Sequence, residues 1–177
     1  TLFFQAIIAG AGRDVSVGMS EQDQGDSFGN YLSQILFIDG SNNASNDPTF
    51  VNVRDGNGSG GGSSSTVIAN PTENELYNFW MVMDESAGTY DVYGEGPTLV
   101  GQALLADDFG FRRSFNPGNI DEIMLQEGGN GSGNILFDNF YIDSSGQNLS
   151  NPLVAVPEPA SVAVWMLLGA VISFVVA

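Results

Sequence analysis

Apolar residues in this chain fall into short runs of strand length, most of them alternating with polar ones and each closed by Gly, Ser, Asn or Asp. Alternation with a period of two places one set of side chains on each face of a strand. Leu2–Ala9 is the first such run and ends at Gly10-Ala11-Gly12; 14–19 is a shorter second. The polar, acidic stretch 20–30 reads as a loop, and 31–39 as a strand stopped by Gly40-Ser41-Asn42-Asn43. Residues 50–54 follow Pro48 as another strand, and the Gly/Ser tract 55–65 reads as a loop tip or a long hairpin connection. After the short apolar piece 66–69 comes the clearest alternation, 75–84. Tyr77, Phe79, Met81 and Met83 fall on one side there, and Asn78, Trp80 and Val82 on the other. The polar turn 85–88 and renewed alternation over 89–93 predict a hairpin. Residues 99–105 fit a strand or a helical turn, and 120–127 and 135–143 are strands separated by the glycine-rich loop 128–133. Short strands at this spacing, with no amphipathic helix among them, predict an all-β chain folded as an antiparallel β-sandwich over 1–145. A polar linker is expected over 146–156.

The end of the chain breaks the pattern. Val156-Pro157-Glu158-Pro159 is followed by an uncharged apolar run through Ala177. Counted from Ala160 the run has about 18 residues, which as a helix span ~27 Å, just enough for a bilayer core of about 30 Å. The prolines prevent such a helix from extending backwards. The competing reading is a terminal helix or strand buried in the domain. Motif, position and helix together resemble the PEP-CTERM sorting signal of exported bacterial proteins. The resemblance implies that 157–177 is a transient transmembrane anchor, with Pro157, Glu158 and Pro159 recognised by an exosortase-type membrane enzyme. It further implies a protein held for a time in the bacterial envelope and then delivered to the cell surface or extracellular matrix. The family's tail usually closes with arginines, and none follows the apolar run here.

Composition narrows the chemistry. Of the charged residues 21 are acidic and four are arginine (Arg13, Arg54, Arg112, Arg113), for a formal net charge of −17. Such a surface repels phosphate backbones and argues against nucleic acid as a partner. The chain has no Cys, His or Lys. Disulfides, Cys/His zinc sites, thiol nucleophiles and an imidazole base are thereby excluded, as are P-loop and Schiff-base lysines.

A second resemblance covers most of 1–145. Leu76 through Asp84 with Thr89 through Tyr93 is similar to the central hairpin of concanavalin- and laminin-G-like jelly rolls. Ile120-Asp121-Glu122-Ile123 and Phe137 through Asp143 resemble the late strands that close such sandwiches. That likeness implies a domain used for glycan or protein contact outside the cell.

Paired carboxylates are the catalytic equipment that remains. Glycosidases on similar jelly rolls carry a Glu-x-Asp-x-x-Glu strand, which Glu73, Glu75, Asp121, Glu122 and Glu127 approach without matching. Calcium is the one cofactor to consider, because Asp55-Gly56-Asn57-Gly58-Ser59-Gly60 opens like an oxygen-ligand loop. Thr66 stands where an EF-hand would place its closing Glu. Asp55, Asn57 and Asp138 are the metal candidates, with Asp143 and Asp39 as alternatives. Trp80, Tyr90, Tyr93 and Tyr141 are candidates to stack on sugar rings, against the competing demand that one sheet face be filled with aromatics. The expectation is a non-enzymatic surface or matrix protein whose partners are the processing enzyme, the membrane and extracellular polysaccharide or surface glycans. Its rivals are a polysaccharide hydrolase or lyase on the same fold, and a purely structural coat protein.

Overall fold

The computed structural model describes residues 1–9, 14–21, 30–39, 49–116, 118, 120–128 and 134–153. Among these residues ten strands follow one another: β1 (Leu2–Ala9), β2 (Asp14–Glu21), β3 (Ser33–Asp39), β4 (Thr49–Gly56), β5 (Gly62–Ala69), β6 (Leu76–Asp84), β7 (Thr89–Glu95), β8 (Ala103–Gly110), β9 (Ile120–Gly128) and β10 (Asn134–Ile142). They form two five-stranded sheets, in the orders β10-β1-β6-β7-β8 and β5-β4-β3-β2-β9. Every pairing is antiparallel.

Alternation decides what lies between the sheets. Leu2, Phe4, Ala6 and Ile8 from β1 and Tyr77, Phe79 and Met81 from β6 are buried there. They meet Val17 and Met19 from β2, Ile35 and Phe37 from β3, and Val51 and Val53 from β4. Phe37 sets its ring edge-on against Phe79 of the opposite sheet at 5.7 Å and 85°, and against Phe137 at 5.5 Å. Edge-to-face rings at this separation suit the ~10 Å thickness of a β-sandwich core. The all-β sandwich and the inward set of β6 agree with the sequence pattern, Met83 being half-buried against the core.

Two open local readings are resolved. The tract 55–65 is a hairpin connection, shorter than its length suggests: β4 runs to Gly56, β5 starts at Gly62, and only 57–61 turns between them. Asn57 closes that turn by accepting the N–H groups of Ser59 (3.0 Å) and Gly61 (3.2 Å) on its side-chain oxygen. Gly58 and Gly60 supply the positive φ angles it needs, 72° and 85°. The turn also docks, with Gly58 and Gly60 donating to the carbonyls of Phe111 and Arg112. The ambiguous stretch 99–105 is a turn through residue 102 and then the start of β8, a Leu99 N–H to Gly96 carbonyl bond of 3.0 Å closing the turn. The late strands separate, β9 joining β2 in one sheet and β10 joining β1 in the other.

Among the described residues, no helix is long and apolar enough to cross a membrane. The apolar run 160–177 and Pro157, Glu158 and Pro159 lie outside the described residues.

Candidate site on the outer face of the first sheet

The residues of β1 that alternate with its core set are Phe3, Gln5 and Ile7, and they face away from the second sheet. Register carries each into a row across the strands. Phe3 lies between Tyr141 of β10 and Trp80 of β6, and Trp80 pairs in turn with Tyr93 of β7. The Phe3 ring is 5.1 Å from Trp80 and 6.1 Å from Tyr141, both tilted. One pleat further along, Gln5 pairs with Asn78, and Asn78 with Glu95. Their side chains form a continuous chain: Asn139 Nδ2 donates to Gln5 Oε1 (2.6 Å), Gln5 Nε2 to Asn78 Oδ1 (2.8 Å) and Asn78 Nδ2 to Glu95 Oε2 (3.2 Å). Asn139 reaches this chain through an irregularity in β10, where its φ is 55° and the register against β1 shifts. The face thus carries an aromatic row beside a carboxamide row.

The aromatic row is covered. Trp80 is only 1% exposed although it lies outside the inter-sheet core, while Tyr141 keeps 45% exposure at the open end of the row. The cover is the stretch 143–153, a strap that crosses the strands from β10 toward β8. Asp143 and Thr1 exchange backbone bonds of 2.8 and 2.7 Å, and Thr1 Oγ1 donates to the Gly146 carbonyl at 2.7 Å. Farther along, Gln147 Nε2 donates to the Tyr93 hydroxyl (3.2 Å), Gln102 Nε2 to the Leu149 carbonyl (2.9 Å) and Trp80 Nε1 to the Ser150 carbonyl (3.2 Å). The linker expected over 146–156 therefore lies on the sheet as far as it is described.

Asp143 folds the start of the strap. Its carboxylate accepts from the N–H and hydroxyl of Ser145 (2.8 and 2.6 Å) and from Asn148 Nδ2 (2.6 Å). Those bonds, the Ser145 hydroxyl first, favour the charged form and hold its pKa at about 2. Burial of the indole contributes apolar area to docking, shared with the Phe3 ring packed beside it. An aromatic side chain hides ~150–250 Å², which at ~25 cal/mol per Å² is ~4–6 kcal/mol as an upper bound.

The remaining candidates fall elsewhere. Tyr90 lies between the sheets at 1% exposure, with its hydroxyl among backbone groups of β3 and β4, and shares nothing with the outer row. Asp55 and Asn57 belong to the β4–β5 hairpin. Asp55 Oδ1 accepts from the Gly110 N–H at 3.0 Å, and the Asn57 oxygen closes its own turn. Asp138 is on β10 opposite Gln5, in the other sheet, and caps the Asn139 N–H at 2.7 Å. These three are not brought together. Glu73 and Glu75 are exposed in the turn before β6. Glu122 borders an open groove of about 380 Å³ that runs along 122–126 of β9, and Glu127 stands just beyond it. The side chains of Asp39 and Asp121 lie outside the described set.

The carboxylates that do gather among the described residues are Asp91, Asp107 and Asp108, with oxygens within 4.8 Å of one another. An irregular pairing of β7 with β8 and a φ of 53° at Asp108 turn adjacent acids to one side, which simple alternation forbids. Sequence reasoning missed this group for that reason. It missed Phe3, Gln5 and Asn139 as well, because their partners are distant in the chain and only register reveals the rows. Comparisons with models of protein families, with curated proteins and with solved structures find no match for this chain.

Proposed function

We propose that this chain is an exported bacterial surface or matrix protein without catalytic activity. Its β-sandwich, of the concanavalin- or laminin-G-like jelly-roll kind, contacts extracellular polysaccharide or surface glycans. A C-terminal PEP-CTERM signal holds it in the envelope until an exosortase-type enzyme acts at Pro157, Glu158 and Pro159. The observation that carries the reading is the arrangement of the C-terminus: Val156-Pro157-Glu158-Pro159 and an uncharged apolar run stand directly after an acidic all-β domain. An uncharged run of about 18 residues is what a bilayer-spanning helix requires. The surplus of acidic groups keeps a secreted domain soluble and apart from its copies.

The test is made in a bacterium that carries an exosortase, with the full chain behind an export leader. The parent is expected to be shortened and to leave the membrane fraction. The variant with Pro157, Glu158 and Pro159 all replaced by alanine is expected to stay full-length and membrane-bound. Equal processing and release of the two would overturn the sorting reading.

A further inference from the structure

We propose that the outer face of the first sheet is a binding site for a neutral, hydroxyl-rich polysaccharide chain, and that the strap 143–153 occupies this site in the present structure. The proposal rests on the surface-glycan reading above and gives it a location and a control.

Tyr141, Phe3, Trp80 and Tyr93 stand on four adjacent strands in one register. With strands ~4.8 Å apart the row is ~14 Å long, a platform for a short run of sugar rings. The C–H faces of pyranose rings pack on aromatic faces, and their hydroxyls need donors and acceptors at the rim. The carboxamides of Gln5, Asn78 and Asn139 lie one pleat away, already oriented by their mutual hydrogen bonds. Fixed side chains of this kind bind without a further ordering cost. Glu95, Asp138 and Asp91 flank the rows, so the favoured chain is uncharged rather than acidic.

The strap has the character of a stand-in. Its sequence from Asp143 to Asn151 is polar except for Leu149, and Leu153 beyond is 38% exposed. It offers the row a carbonyl on the indole N–H and an amide on the Tyr93 hydroxyl, contacts that sugar hydroxyls can reproduce. Most of its other bonds lie at exposed positions, which places it among the segments that open most readily. Strap and polysaccharide then exclude one another, and by linkage each weakens the other.

The experiment uses the full chain in detergent micelles with Trp165→Phe, which leaves Trp80 as the one tryptophan of the two in the sequence. Asp143→Ala with Gln147→Ala loosens the strap. Acrylamide quenching of Trp80 is expected to rise at least about twofold, and affinity for one or more of cellohexaose, xylohexaose and mannohexaose about tenfold, the factor for opening a site that is about one-tenth free. Hexagalacturonate is expected to bind more weakly. Trp80→Ala, and Tyr93→Ser as a milder change at the surface, are expected to lose about tenfold or more in affinity. An unchanged quenching constant would overturn the displaceable strap. A loosened strap with accessible indole but no gain in hexasaccharide affinity would overturn the site. Equal binding by the parent, Trp80→Ala and Tyr93→Ser would also overturn the site while leaving the surface-glycan reading intact. Failure of every protein to bind any glycan would overturn both, and only the sorting signal would stand.

Discussion

Tyr90→Phe removes one oxygen atom from a place where two strands part. The pairing of β3 with β4 begins at Ile35 opposite Val53, and the Tyr90 hydroxyl occupies the position of the next rung. It accepts the Gln34 N–H at 3.3 Å and donates to the Arg54 carbonyl, with the Gln34 carbonyl 3.4 Å away. Burial pushes the phenol well above its ordinary pKa, so it stays neutral and able to donate. Phenylalanine keeps the ring and its stacking on Phe111, 6.3 Å between centroids, but leaves one backbone donor and one acceptor facing an apolar edge. Each buried group stranded in this way costs about 1–3 kcal/mol. Partial relaxation of the strand ends brings the expected loss to about 3 kcal/mol, or ~6–12 °C in Tm for a domain of this size. Urea unfolding of the full chain in micelles, followed by far-ultraviolet circular dichroism, should show a lower midpoint at unchanged m-value. Tyr93→Phe is the control. Its hydroxyl meets an exposed Gln147 amide, so it should cost less than about 0.5 kcal/mol. A Tyr90→Phe loss as small as the control's would refute the account of the hydroxyl as a rung between the strands.

Three further outcomes follow from other places in the fold. Gly18→Ala should cost more than about 3 kcal/mol, seen as loss of cooperative unfolding, because the new Cβ would lie 1.9 Å from the Ser33 carbonyl oxygen and 2.7 Å from the Tyr31 ring. Asn57→Ala should cost about 1 kcal/mol and speed hydrogen exchange at Ser59 and Gly61, whose N–H groups it leaves without their acceptor. The Asp143 contribution to strap docking should be fully present above its ordinary pKa of 3.8 and be lost as pH falls through about 2, because the folded-state value is the lower one. Trp80 quenching in the Trp165→Phe background should rise over that window, and Asp143→Asn should remove the pH dependence.

The inter-sheet core was legible in the sequence because alternation and burial speak the same language. Tyr77, Phe79 and Met81 are a clean period-two set, and the structure buries all three. The Ser-rich half of β5 was not legible. Ser63, Ser64 and Ser65 are exposed edge-strand positions with no apolar side chain of their own, so nothing in their chemistry distinguishes a strand from a loop. What organises them is Asn57, which turns the chain, and Arg112, whose Nε donates to the Gly60 carbonyl from more than fifty residues away. Long-range bonds of this kind leave no periodic trace.

The outer face of the first sheet exposes a more general limit of reading by alternation. A period of two separates the residues of β6 into two sets, but it does not say whether the second set meets water, a ligand or the chain itself. Trp80 and Asn78 share that set and differ in fate. Trp80 lies under the strap, whereas Asn78 is half-buried between Gln5 and Glu95. The strap is written mostly in Ser, Asn, Gln, Gly and Asp, the composition of a solvated linker, because it docks chiefly by offering hydrogen bonds to aromatic tips, with Leu149 as its one half-buried apolar side chain. An indole N–H held by a backbone carbonyl could belong to any sequence at that position, so the sequence does not mark where the strap lies. A polar segment that covers an aromatic row has, Leu149 apart, no half-buried apolar side chain to lose on leaving. Its docking therefore depends on the aromatics beneath it, which is the condition for a second ligand with the same taste in surfaces to displace it.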